Sequence, residues 1–166
     1  IGPSGAGKTT VAKVLQQHYG FRLERTVTTR PQRDDSDTDH IFVNEETFAS
    51  MEKSKSFFGT INNFGHSYGL PRFDATAPTV LPLRAPAVAE FKTKFPHAFV
   101  YELDAPTEVL GQRLTARRLS DRFKPADIEK EARLGRQVAK MTIDTSKHTP
   151  EEIAAIIAQD IAGVAA

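Results

Sequence analysis

The sequence contains no cysteine and no tryptophan, and only two methionines and three tyrosines in 166 residues. Without cysteine there is no disulfide, no thiol nucleophile and no thiolate metal site, so any chemistry rests on oxygen and nitrogen groups. The same absence fits a reducing compartment, and a cytoplasmic location is the expectation. Excess charge is lacking too. Twenty-two Lys and Arg stand against 21 Asp and Glu, a net charge of +1, which is too little for a broad nucleic-acid-binding surface. No apolar run approaches the roughly 18 residues of a membrane span. Neither nucleic acid nor a membrane is therefore an expected partner, and oligomeric state carries no signal. What remains is a chain with 39% hydrophobic and 26% charged residues, the balance of one globular domain with its own core across residues 1–166.

The first ten residues, Ile1-Gly2-Pro3-Ser4-Gly5-Ala6-Gly7-Lys8-Thr9-Thr10, organise the rest. Gly2 to Thr9 satisfy G-x-x-x-x-G-K-[ST], the phosphate-cradling P-loop, at every fixed position. Glycines let the backbone curl so that successive N–H groups face one point, an anion-binding concavity free of side chains. Lys8 supplies a mobile charge for the terminal phosphates of a nucleotide, and the Thr9 hydroxyl can ligate Mg²⁺. Thr9 to His18 reads as a helix whose N-terminal dipole points at the same phosphates. The nucleotide-binding set is thus Gly2, Ser4, Gly5, Ala6, Gly7, Lys8, Thr9 and Thr10. Such a loop follows a buried strand, yet only Ile1 precedes Gly2, so a first strand is expected upstream of Ile1.

Downstream, Phe21 to Thr29 reads as a strand, Asp34 to Asp39 as an acidic loop and Ile41 to Val43 as a short strand. Asn44 caps a predicted helix over Glu45 to Lys53. Ser56 to Asn63 and His66 to Gly69 form a predicted hairpin turning near Phe64-Gly65, within an antiparallel insert spanning about residues 30–72. Strands then alternate with helices: Thr79 to Leu83, a helix over Ala85 to Lys94, a strand over Ala98 to Leu103, a helix over Thr107 to Leu119, another over Pro125 to Lys140, and a strand over Met141 to Asp144. Thr149-Pro150-Glu151-Glu152 is a capping box opening a last helix to Ala162. Alternation of this kind implies α/β architecture, a parallel sheet covered by helices on both faces. His18, His97 and His148 read as surface residues.

Two further stretches narrow the chemistry. Thr28-Thr29-Arg30-Pro31-Gln32-Arg33 resembles the T-T-R-x-x-R signature of guanylate kinases. Asp39-His40-Ile41-Phe42-Val43, the helix from Glu45 and Ser67-Tyr68-Gly69 follow in that family's order, and Asp104-Ala-Pro-Thr-Glu with Arg113, Arg117 and Arg118 resembles its entry into a lid. The resemblance implies a P-loop NTPase fold of three α/β/α layers with a parallel central sheet, an acceptor-binding insert and an Arg-rich lid over about residues 113–133. It implies a Mg·ATP-dependent phosphotransferase acting on a phosphorylated small molecule. Arg30 and Arg33 would grip the acceptor phosphate, since guanidinium forks bind phosphate bidentately, with Tyr68 donating to the same group and Thr26 beside them. Catalytic roles fall on Lys8, Arg117 and Arg133. A loose transition state with its charge on oxygens suits this cation-rich inventory.

The guanine-reading positions depart from that family. His40 stands where it has Tyr, Gly59-Thr60 where it has a glutamate, and Leu81-Pro82-Leu83-Arg84 where it has L-D-I-D. Arg84 favours an anionic group, and His40 is able to bond a hydroxyl or phosphate. These features resemble ribose 1,5-bisphosphate phosphokinases, whose acceptor is a sugar phosphate. Both GMP and a sugar phosphate stay open as acceptors. A non-catalytic guanylate kinase-like binding module and a nucleotide hydrolase are the rival readings. An intact Lys8-Thr9 opposes the first, and an arginine cluster suited to excluding water opposes the second.

Overall fold

The computed structural model describes residues 1–33, 37–63, 65–74 and 76–165. Asp34 to Ser36 of the expected acidic loop and Phe64 of the expected hairpin turn lie outside the described residues. Helix α1 (Lys8–Tyr19) begins where Gly7, at φ 87°, turns the loop into the helix, and ends at Gly20, whose N–H bonds Leu15 O. It buries Val11, Ala12, Val14 and Leu15.

The expected strand over Phe21 to Thr29 is two short strands in two different sheets. β1 (Arg22–Leu23) pairs in parallel with a strand at Thr79–Val80, whereas β2 (Val27–Thr28) joins the insert. The run is broken at residues 24–26, where no strand forms, and the pairing partner changes across that break. The insert has the order β3-β2-β5-β4, with β3 (Ile41–Phe42) parallel to β2, and β5 (His66–Pro71) antiparallel to both β2 and β4 (Phe57–Asn63). Helix α2 (Glu45–Lys53) starts at the Asn44 cap, whose Oδ1 accepts from Thr47 N at 2.8 Å. Its Phe48 meets Phe57 with ring centroids 4.9 Å apart, and the two pack with Val27 as the insert's own core.

After β6 (Thr79–Val80) a short 3₁₀ turn, Ala85–Ala87, leads into α3 (Val88–Lys94). β7 (Tyr101–Asp104) and β8 (Met141–Asp144) then pair in parallel, Glu102 against Thr142, with α4 (Thr107–Ala116) and α5 (Pro125–Val138) between them in sequence. Helix α6 (Pro150–Ala165) follows the expected capping box, in which Thr149 N donates to Glu152 Oε2 at 2.8 Å and Glu152 N to Thr149 Oγ1 at 3.2 Å. Side chains alternate across β7 and so show its two faces. Tyr101 Oη donates to Asp160 Oδ2 of α6 at 2.5 Å, while Glu102 lies under Gly135 of α5. Helices thus cover both faces. The main core joins Leu15, Leu103, Leu110, Ile143, Ile153 and Ile157, all buried, each contributing about 1.5–3 kcal/mol on burial.

Ile1 pairs with β7 in the parallel sense, its N donating to Tyr101 O at 2.7 Å and its O accepting from Leu103 N at 2.8 Å. This pairing fixes the start of the glycine loop beside the β7 backbone. A Cβ on Gly2, at φ 143°, would collide with Leu103 O, so only glycine lets the loop leave the sheet there. The loop therefore sits where α/β sheets place their binding crevice.

Candidate active site

A cleft of about 1420 Å³ runs from the glycine loop to the insert. Ser4, Gly5, Gly7, Lys8, Thr9 and Thr10 line its first end. Gly2 and Ala6 do not. They are buried beneath the loop, Gly2 against β7 and Ala6 within the main core, so they shape the cradle from below. Lys8 Nζ donates to Gly2 O at 2.7 Å and Pro3 O at 2.9 Å, and so lies folded along the loop. Burial lowers its pKa to about 8, with Arg84 pushing the same way and Glu131 opposing. Lys8 remains largely protonated at neutral pH.

The insert supplies the other end. Thr26, Arg30, Arg33, His40 and Tyr68 all line the cleft, although they come from β5 and from the segments flanking β2 and β3. The two threonines before Arg30 explain how. Thr28 Oγ1 donates to Ser67 O at 2.9 Å and accepts from Arg30 N at 3.1 Å, while Thr29 Oγ1 accepts from Ser67 N at 3.0 Å. These bonds stitch the arginine arm to the strand that carries Tyr68. Arg30 is buried. Its Nη1 meets Pro31 O and Asp37 Oδ2, each at 3.0 Å, and its guanidinium lies 5.0 Å from the centre of the Phe42 ring. Its Nε and Nη2 have no partner among the described residues. Buried donors are nearly always paired, so these two nitrogens are the unusual feature of the arginine arm.

Asp37 grips both arginines, since Arg33 Nε and Nη2 also donate to it at 2.7 and 2.9 Å. Those bonds outweigh burial and hold its carboxyl well below the usual carboxylate range. The sequence marked this aspartate only as part of an acidic loop, because nothing in the spacing says which acid turns inward. His40 Nδ1 lies 2.7 Å from Thr26 Oγ1, and its ring stands edge-on to Tyr68 at 5.5 Å. Burial, and then the Arg30 charge, lower its pKa to about 4. It is neutral at pH 7 and acts as a hydrogen-bonding group rather than a cation.

The third wall carries the arginines expected of a lid. Arg117, Arg118 and Arg122 line the cleft, in the segment between α4 and α5, and Arg118 takes the left-handed conformation at φ 55°. Arg113 is elsewhere. It donates to Gly5 O at 3.3 Å and to Thr145 Oγ1 and O at 2.8 Å each, holding the loop from behind. Arg133 stands exposed on α5 and does not line the cleft. Two residues along a helix turn the side chain by roughly 200°, and the position that α5 turns inward is Glu131, buried and forked onto Arg84. Arg84 does line the cleft, but with its charge already met by that carboxylate. Another carboxylate escaped the sequence reading: Glu90 of α3 lines the insert end and lies over Gly59, in the space a side chain there would need. Phe58 and Phe91 stand beside it in the lining.

No family model matches the chain. It is 35% identical over 126 residues to ribose 1,5-bisphosphate phosphokinase PhnN of Rhizobium etli, covering 70% of this chain and 64% of that protein, just under two thirds of its length. To the protein of the same name from Acidiphilium cryptum it is 32% identical over 163 residues, 91% of this chain and 83% of that one. To guanylate kinase of Fusobacterium nucleatum it is 30% identical over 125 residues, 70% and 68%. Among solved structures, guanylate kinase from Anaplasma phagocytophilum superposes with a TM-score of 0.67 at 22% identity, over 94% of this chain and 81% of that one. Shikimate kinase from Acinetobacter baumannii in complex with shikimate does so with a TM-score of 0.54 at 20% identity, over 98% and 90%. The superpositions establish the P-loop NTPase fold, and the sequence matches go further. With its glycine loop, arginine arm and relatives of both names, the chain belongs to the guanylate kinase-like family of P-loop kinases.

Proposed function

We propose that this chain transfers the γ-phosphoryl group of Mg·ATP to a small molecule that already carries a phosphate. The observation that carries this reading is Arg30, a buried guanidinium with two nitrogens unpaired among the described residues, lining the same cleft as the glycine loop. The loop end takes the ATP phosphates on backbone N–H groups and Lys8. The insert end takes the acceptor phosphate on Arg30 and Arg33, with Tyr68 and the neutral His40 hydrogen-bonding beside them. Arg117, Arg118 and Arg122 of the third wall are placed to neutralise charge on the group in flight and to exclude water. Among the described residues no group of three or more His, Asp or Glu could hold a metal alone. One hydroxyl, from Thr9 in the first turn of α1, together with phosphate oxygens and water suits Mg²⁺, which keeps several waters. When bound there the ion neutralises phosphate charge.

The preferred acceptor is a sugar phosphate of the ribose bisphosphate type. What favours it is the insert end itself, where Gly59 and Pro82 line the cleft and offer no carboxylate. The relatives named ribose 1,5-bisphosphate phosphokinase support it. A second reading, a guanine nucleotide, has one observation in its favour: Glu90, a hydrogen-bond acceptor, lines the cleft together with Phe58 and Phe91. A coupled ADP-release screen over nucleoside monophosphates and sugar phosphates tests both. ATP hydrolysis at full rate with no acceptor would overturn the transferase reading in favour of a hydrolase, and nucleotide-independent peptide binding without turnover would favour a binding module.

A further inference from the structure

Glu131 is a carboxylate only 4% exposed, held behind Arg84, which lines a cleft otherwise suited to anions. Arg84 Nε reaches its two oxygens at 3.1 and 3.0 Å, Arg84 Nη2 bonds it as well, and Ala85 N donates to its Oε1 at 3.3 Å. A buried carboxylate near a phosphate site is unfavourable unless it organises something. What it organises is an arginine on the backbone just before the 3₁₀ turn, a long side chain with many rotamers when free. Lys8 feels both groups, for Glu131 raises and Arg84 lowers its pKa. Lys8 and Arg84 line the same cleft, so the glycine loop and the segment before α3 each bring a cation to it, the second held from α5 by Glu131. Helix α5 directly follows the segment bearing Arg117, Arg118 and Arg122.

We propose that Glu131 is a positioning residue for phosphoryl transfer: its fork holds the Arg84 guanidinium in one orientation on the cleft wall, so the transferring group meets Arg84 and Lys8 as preset cations. Preset charge acts without reorganisation at the moment of reaction, which is where such groups matter most. Because the carboxylate rides on α5, any shift of that helix also shifts Arg84, and the third wall and the cation placement move together. This inference rests on the transferase reading, and its test separates the two.

The test compares wild type with Glu131→Gln, Glu131→Asp, Arg84→Ala and the exchanged pair Arg84→Glu/Glu131→Arg, reading kcat, KM for ATP and Tm. Glu131→Gln is expected to lower kcat about tenfold or more while KM for ATP moves less than about threefold, the mark of an interaction realised in the transition state. Glu131→Asp should recover part of that loss. The exchanged pair should regain the Tm lost by Glu131→Gln yet stay at the Arg84→Ala level in kcat, because its cation now projects from the wrong element. Wild-type kcat in Glu131→Gln, or recovery of kcat together with Tm in the exchanged pair, would reduce the ion pair to a strut and overturn the inference. Should wild type transfer to no acceptor, the transferase reading falls instead. The same variants are then read by titration with ADP and aluminium fluoride, a mimic of the transferring group. Affinity about tenfold weaker in Glu131→Gln, with ATP binding intact, upholds the positioning role. Equal affinity overturns it.

Discussion

Arg30 carries a guanidinium only half satisfied among the described residues, Nη1 bonded and Nε and Nη2 without a partner there. Its energetic return comes with an anion, so Arg30→Ala should raise the acceptor KM by at least about tenfold, the scale of a lost charge-assisted bond. KM for ATP should stay nearly unchanged, and steady-state kinetics with each substrate varied in turn decides it. Equal effects on both would remove Arg30 from the acceptor end. Glu102 illustrates the opposite case, a buried acid with no functional partner. It is fully buried on β7, accepts from Thr142 Oγ1 at 2.7 Å, and has Oε1 unpaired among the described residues. Burial raises its pKa. The folded state therefore binds its proton more tightly than the unfolded state, and stability falls as pH rises above the usual carboxylate range of about 4.3. Glu102→Gln should remove that slope. Urea unfolding at pH 5 and pH 8 should show the variant gaining on wild type at the higher pH; an equal difference at both would rule the burial effect out. Sequence could flag Arg30 through its motif, but it could not flag Glu102, whose cost depends on Gly135 lying over it.

Among the elements, the ones that match the sequence reading most closely are those with local signals. β8 spans Met141–Asp144 as expected, α2 begins at its Asn44 cap, and α6 begins at its capping box. Where pairing is long-range the reading fails, as at 21–29, because a strand partner 57 residues away, Thr79 for Arg22, decides where a strand ends. The segment between α4 and α5 depends on one such contact. The Phe123 ring lies on Gly111, with its nearest atoms 2.8 and 2.9 Å from where a Cβ would stand. Gly111→Ala must push that ring aside and with it the segment that carries Arg117, Arg118 and Arg122. Overpacking of this kind costs about 1–3 kcal/mol. The sharper expectation is functional: a displaced wall admits water, so acceptor-independent ATP hydrolysis should rise relative to transfer. An unchanged ratio of the two rates, with Tm lowered, would confine Gly111 to packing.

For the molecule as a whole, the insert core of Val27, Phe48 and Phe57 is separate from the main core, while the cleft draws residues from both parts. A ligand that spans the cleft should tie the two together. Mg·ATP at about 100 times its Kd should stabilise the protein by roughly 2.7 kcal/mol, and the right acceptor should add a further Tm rise that Arg30→Ala abolishes. Absence of any additional shift from every phosphorylated acceptor tested would count against a two-substrate cleft. Among the described residues no helix is long and apolar enough to cross a membrane.

What the sequence determined by itself was the glycine loop and the chemistry class. A glycine loop, its lysine and its threonine are contiguous, and backbone geometry makes their spacing sufficient. The arginine arm was legible for the same reason, with its two threonines adjacent to it. Only the tertiary structure decided which charges face inward. It turned Asp37 onto two arginines and Glu131 onto Arg84, and it left Arg133 in solvent. It also laid Glu90 over a glycine thirty-one positions earlier in the chain. Helical phase and the packing of separate elements set those directions, and neither is written in the spacing of residues along one segment.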